Sequence, residues 1–173
     1  MHRYLFVFLI ILFVFSIIPQ PLFAEASYVL PYPSAMPGSK FYKLHQLFEK
    51  FEKYWYFGNF SNFHYNLKYS DKYLVEAKTL FEYKQYLLAY QALKKSNSFF
   101  LKTKQSLENA GIGYVDTEEK EQNLKNASLK HIEVLNQLFL LTPSQFDWKP
   151  EKGSPTKIMI KEKINESIKI RTL

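Results

Sequence analysis

The stretch Asn62–Asn109, NFHYNLKYSDKYLVEAKTLFEYKQYLLAYQALKKSNSFFLKTKQSLEN, carries two helical repeats joined by a short break. From about Asn62 to Glu82, the residues Tyr65, Tyr69, Tyr73, Ala77 and Leu80 or Phe81 recur at steps of three and four, the repeat of one helix face. From about Lys84 to Asn109, Tyr86, Ala89, Leu93, Phe100, Leu101 and Leu107 mark a second such face. The joint between the two segments is so short that they must fold back on each other as an antiparallel hairpin. Tyr65, Tyr69 and Tyr73, with Tyr83, Tyr86 and Tyr90, have the flat apolar faces and polar rims of a carbohydrate or peptide platform. Their helical spacing assigns them instead to packing between helices.

Working outward, Gly58, Asn59, Ser61 and Asn62 interrupt the pattern on the N-terminal side. Before them, Ser39 is placed to cap a helix over Lys40–Tyr56 whose stripe is Phe41, Leu44, Phe48, Phe51 and Trp55. On the C-terminal side Gly111 and Gly113 end the hairpin. Asp116 or Thr117, followed by Glu118, Glu119 and Glu121, then starts a helix suited to its own dipole. That helix runs to Leu141, turns Leu124, Ala127, His131, Leu135, Leu138 and Phe139 inward, and stops at Pro143. The expected fold is all-α: a small bundle of about four helices around a central antiparallel hairpin, with the helical stripes supplying the core.

The flanks are of another kind. Met1, His2 and Arg3 precede an apolar run, Tyr4–Ile18, relieved only by Ser16 and broken by Pro19 and Pro21. A run of about fifteen residues suits a signal-peptide core better than a membrane span of about twenty, and Ala24, Glu25 and Ala26 offer a cleavage site after Ala26 or Ala24. Residues 1–26 are therefore expected to be a signal peptide, with an uncleaved anchor as the alternative, and the remainder to be exported: extracytoplasmic, secreted or membrane-tethered. Residues 27–39 hold Pro31, Pro33 and Pro37 and are expected to form an extended strap that packs through Leu30, Pro31 and Tyr32. The helical domain is expected over 40–141. Residues 142–173 read as a linker, with Trp148 as an anchor, and a short basic segment. There Ile160, Ile164 and Ile168 stand four apart among Lys157, Lys161, Lys163, Lys169 and Arg171. Helix, a β-like piece near Lys157–Ile160 and a frayed tail all remain open for that segment; a loosely docked tail is favoured over one lying on a membrane.

The string YVLPYPSAMPGSKFYKL, Tyr28–Leu44, resembles the opening motif of an uncharacterised family of bacterial exported or membrane-tethered proteins, a domain of unknown function. Its pattern is close to Y-x-L-P-Y-P-G-x-L-P-D-S-P-L-Y-x-L-K, followed by a helix and a hairpin rich in L-A-x-x-R-L-x-E-A. Leu30, Pro31, Tyr32, Pro33, Pro37, Ser39, Tyr42 and Leu44 match the motif, and Tyr73, Leu74, Glu76 and Ala77 match the hairpin. Ser34, Gly38 and Lys40 depart from it, at positions where the family has Gly, Asp and Pro. The resemblance implies an address and a helical fold, with no activity attached. The eight matching strap residues are the candidate interaction or structural motif.

Chemistry-bearing patterns are missing. The chain has no cysteine, hence no disulfide, thiolate site or lipidated cysteine. His45 with Glu49, His64, and His131 with Glu133 are candidates for metal or acid–base work, but no HExxH and no histidine pair at i, i+4 supports them. No GxSxG elbow is present, and the five glycines include no phosphate-cradling loop. The net charge of +7 is spread as lysines among glutamates, with Arg3 and Arg171 the only arginines, which argues against nucleic acid. No enzyme activity, cofactor or small-molecule substrate is expected. The expected function is a non-catalytic extracytoplasmic module that binds a protein or envelope partner. The alternative is a membrane-anchored or membrane-peripheral structural protein, held by its N-terminus or its basic tail.

Overall fold

The computed structural model describes residues 28–111 and 116–173; the signal peptide expected over 1–26 and the break expected at Gly113 lie outside the described residues. In chain order the helices are α1 (Tyr42–Glu52, continued by a 3₁₀ turn over Lys53–Trp55), α2 (Asn59–Glu82), α3 (Tyr86–Gly111), α4 (Glu118–Leu141) and α5 (Ile160–Arg171). Strands β1 (Gln145–Trp148) and β2 (Thr156–Met159) form an antiparallel pair between α4 and α5. The helical bundle is as expected; the strand pair and the fifth helix are additions to it.

The α2–α3 hairpin is the centre. Its joint is closed by Gln85 N–H donating to Leu80 C=O at 2.8 Å, with Lys84 in the left-handed region at φ 58°. This is the helix-ending geometry in which a residue past the last turn takes positive φ, a place glycine usually fills. Down the hairpin, Ser70 and Ser96 cross-bond: Ser96 Oγ donates to Ser70 C=O at 2.8 Å and Ser70 Oγ to Ser96 C=O at 3.2 Å. Ala77, Ala89 and Ala92 are buried at the same seam, where small side chains let the two backbones approach.

The main core gathers Leu74, Leu80, Leu93, Leu135, Leu138, Ile160 and Ile164 from α2, α3, α4 and α5. A second cluster, Phe63, Leu67, Phe100, Leu107, Leu124 and Ala127, continues it toward the other end. Each leucine, isoleucine or phenylalanine among them contributes about 1.5–3 kcal/mol by burial. Leu101, expected inward, is half exposed; its neighbour Phe100 takes the inward position. The start of α4 follows expectation, with Asp116 Oδ1 accepting from Glu118 N–H at 3.0 Å.

The C-terminal region, expected as a loosely docked tail, is docked firmly through its isoleucines. β1 pairs with β2 so that Phe146 lies opposite Ile158, and Ile158 is buried while Phe146 meets Tyr86 at 5.2 Å between ring centres. Ser144 C=O then accepts from Ile160 N–H at 3.0 Å, which sets the start of α5. Ile160, Ile164, Ser167 and Arg171 form the buried face of α5 against α3 and α4. The domain therefore extends to the end of α5, past the boundary at 141. Trp148 stands at the exposed edge of the hairpin and anchors nothing in the core.

The second correction is α1. Its expected core stripe faces solvent: Phe41, Leu44, Phe48, Phe51 and Trp55 are all exposed, Phe48 at 62% and Trp55 at 75%. The side that faces the hairpin is polar and aromatic, for a reason visible in its partners.

Candidate functional site

Two assemblies stand out, one inside and one outside. The inner one is a polar network where α2, α3, α4 and α5 meet. Arg171, 0% exposed, donates from Nε to His131 Nδ1 at 2.9 Å, from Nη1 to Asn97 Oδ1 at 2.7 Å and Ser167 C=O at 3.0 Å, and from Nη2 to Ser96 Oγ at 2.7 Å. Since Nδ1 of His131 accepts, its proton sits on Nε2, which donates to Asp71 Oδ1 at 2.7 Å. Tyr28, from the strap, donates its hydroxyl to Asp71 Oδ2 at 2.5 Å. Asn97 Nδ2 donates to Ser167 Oγ at 2.8 Å, and Ser128 Oγ to Arg171 C=O at 2.5 Å.

Burial, reinforced by the Arg171 charge and opposed by Asp71, pulls the His131 imidazole below its ordinary range, so the ring is neutral at pH 7. Burial also draws Arg171 down, to about 9, against the pull of Asp71; it remains charged. The unit is a buried anion and cation joined through a neutral imidazole. An Asp–His pair beside serines has the composition of a nucleophile-activating site, but both ring nitrogens of His131 are occupied and the ring is fully covered. No nitrogen is free to take a proton from a substrate. The network is a lock: it ties the strap, α2, α3 and α4 to the last helical residue of α5.

The outer assembly is α1 on the hairpin. The underside of α1 carries carboxylates and tyrosines, and the matching surface of α2 carries tyrosines and lysines. Glu49 accepts from Tyr73 Oη at 2.5 Å and pairs with Lys72; Glu52 pairs with Lys68 at 2.5 Å and accepts from Tyr69 and Tyr56. Tyr65 Oη donates to Glu49 C=O at 2.9 Å, and Tyr42 Oη donates to Glu76 Oε1 at 2.7 Å. Beneath these hydroxyls Tyr65, Tyr69 and Tyr73 pack as a ladder with Phe99, which stacks on Tyr73 at 5.7 Å and 8°. Tyr65, Tyr69 and Tyr73 are thus packing, as their spacing predicts, and Tyr86 and Tyr90 pack against the main core, but Tyr83 is exposed at the hairpin joint.

Charge follows from this geometry. Burial, then the Glu52 hydrogen bond, drives the Tyr69 hydroxyl far above its usual range; burial and Glu49 do the same to Tyr73. Partial burial alone would raise the Glu52 carboxyl, but Lys68 and the tyrosine hydroxyls outweigh it and hold Glu52 below the usual carboxylate range. Glu76 goes the other way: burial raises it despite Tyr42, Lys72 and Lys95, and its Oε2 is buried with no hydrogen-bond partner among the described residues.

With its polar side committed inward, α1 turns Phe41, Leu44, Leu47, Phe48, Phe51 and Trp55 outward, joined by Tyr54 and Phe57, all exposed. Folded monomers rarely leave so many large apolar side chains contiguous, and such patches mark interaction sites.

The eight motif residues do not converge. Leu30 is half-buried against the main core, but Pro31, Tyr32 and Pro33 are exposed, Tyr32 at 95%. The strap packs through Leu30, as expected, and through Tyr28 and Met36, so Pro31 and Tyr32 are corrected from packing residues to outward ones. Pro37 is half-buried. Ser39 Oγ accepts from Phe41 N–H at 3.4 Å and its C=O accepts from Tyr42 N–H at 3.0 Å, so Ser39 closes the turn before α1. Tyr42 faces inward to Glu76, and Leu44 belongs to the exposed face. His45 and His64 stand apart from His131, and among the described residues no group of three His, Asp or Glu is placed to hold a metal. No helix among the described residues is long and apolar enough to cross a membrane.

His131 lies inward as its place in the α4 stripe predicts, but its partners Asp71 and Arg171, and Asn97 beyond Arg171, were not among the candidates. Two signals were there to find: an aspartate on the inward face of α2 between Leu67 and Leu74, and one arginine in a domain whose other cations are lysines. Comparison of the chain with family models, curated proteins and solved structures finds no match.

Proposed function

We propose that this protein is a non-catalytic, extracytoplasmic helical module that docks onto a partner in the cell envelope through the exposed aromatic face of α1. The observation that carries the reading is the inverted packing of that helix, which spends its polar side chains on the hairpin and presents phenylalanines, leucines and a tryptophan to the outside. A helix laid on a bundle in this way is held in place without using its apolar face, leaving that face for a partner. The export signal read in residues 1–26, and the resemblance of Tyr28–Leu44 to exported proteins of unknown function, support the address. The occupied, covered imidazole of His131 supports a structural role for the one buried polar cluster that resembles catalytic machinery.

A photo-crosslinking residue at Phe48, compared with one at the exposed Leu129 on α4, tests the reading in cells expressing the full chain. The expected result is crosslinking to an envelope component from position 48 and background from position 129. Background from both overturns it.

A further inference from the structure

We propose that the occupant of the α1 face is an anionic membrane surface, with flanking lysines on lipid phosphates and the aromatic side chains in the boundary between headgroups and acyl chains. The proposal rests on the docking role given to this face and names what it docks to. Three observations lead there.

Charge is the first. Lys40, Lys43, Lys50 and Lys53 are exposed along α1 and its approach, and none of them is in an ion pair among the described residues. Between Tyr28 and Asn59 the only carboxylates are Glu49 and Glu52, and both are turned inward and neutralised by Lys72 and Lys68. The outward surface of α1 is therefore apolar and cationic with no acid on it. A second copy would set lysines against lysines, whereas an anionic bilayer satisfies both chemistries at once.

Residue type is the second. Phe48, Phe51, Tyr54, Trp55 and Phe57 crowd the C-terminal half of the face, and Trp and Tyr are the side chains whose apolar body and polar edge suit the headgroup level. Beside them lies an open cleft of about 680 Å³, lined by Lys50, Lys53, Tyr56, Asn62 and Lys102 and by no carboxylate, where a headgroup phosphate would meet three ammonium groups. Position is the third. The apolar run Tyr4–Ile18 lies a short tether upstream, so a chain held in a bilayer by that run carries α1 to the membrane surface at high effective concentration.

The test uses the full chain with Trp148→Phe, which leaves Trp55 as its only tryptophan. Trp55 emission is followed with vesicles of phosphatidylcholine, with and without phosphatidylglycerol, whose acyl chains carry a bromine quencher. This reads α1 itself, whether or not the N-terminal run also enters the bilayer. The expected result is quenching by the brominated anionic vesicles that fades with added salt. Replacing Lys43, Lys50 and Lys53 by Gln should weaken docking about fivefold per lysine, on the order of a hundredfold together. If Trp55 stays open to aqueous iodide and untouched by brominated anionic lipid, the lipid occupant is overturned. Should it then become shielded as protein concentration rises, the face is taken by a second copy and the docking role stands without the membrane. Shielding in the dilute monomer with no vesicles present overturns both readings.

Discussion

Arg171 shows how one side chain can decide the interior of a lysine-rich protein. A lysine there would present a single ammonium, whereas the planar guanidinium reaches His131, Asn97, Ser167 and Ser96 in four directions at once. Its countercharge, Asp71, is one imidazole away, so the stability of the network depends on every member being present. Asp71→Ala leaves the Arg171 cation without its anion and strips partners from His131 and Tyr28, and should cost about 3–5 kcal/mol in urea unfolding. A loss below about 1 kcal/mol would show that the network holds little. His131 gives a pH signature. Its folded value lies below the ordinary 6.5, so as pH falls below 6.5 toward the folded value the unfolded chain takes up a proton that the folded chain refuses, and stability is lost. The melting temperature of the wild type should therefore fall more steeply between pH 7 and pH 5 than that of His131→Gln. Parallel slopes would mean that His131 titrates normally.

Among the elements, the hairpin was the most legible and the flanking helices the least, and the reason differs for each. The two long stripes of α2 and α3 and their short joint specify one arrangement, though not the residue that closes it. Lys84 holds positive φ with a side chain that resists it. Lys84→Gly should raise stability by about 0.5–1 kcal/mol, or about 1–4 °C in melting temperature, and an unchanged or lower melting temperature would contradict the assigned backbone. In α5 the isoleucine spacing was readable, but the consecutive Ile158, Met159 and Ile160 blurred it, because the first two belong to β2 and the third to the helix. Strands of four residues leave too short an alternation to recognise, and β1 has only Phe146 turned toward the bundle. In α1 the periodicity located the stripe correctly and its direction wrongly. Hydropathy says which residues share a face. It does not say that hydroxyl-to-carboxylate bonds from Tyr69, Tyr73 and Tyr42 hold the opposite face against the protein.

At the scale of the whole molecule, the chain separates two jobs that a small helical bundle usually combines. Stability comes from the hairpin, α4 and the docked α5, sealed by a buried polar lock. In the function proposed above, presentation falls to α1, attached by its polar side and apolar toward the outside. The candidate site was therefore legible only as a set of residues: Leu44 and Tyr42 were singled out with the strap, yet one faces outward and the other inward, and Tyr32 projects alone. If the apolar stripe of α1 lies outside the core, as its exposure indicates, urea unfolding of Phe48→Ser/Phe51→Ser beside the wild type will show it. The expected free energy of unfolding is within about 0.5 kcal/mol of the wild type, as for substitutions on a free surface. A loss of about 3–5 kcal/mol or more, the cost of truncating buried phenylalanine, would contradict it and return α1 to the core.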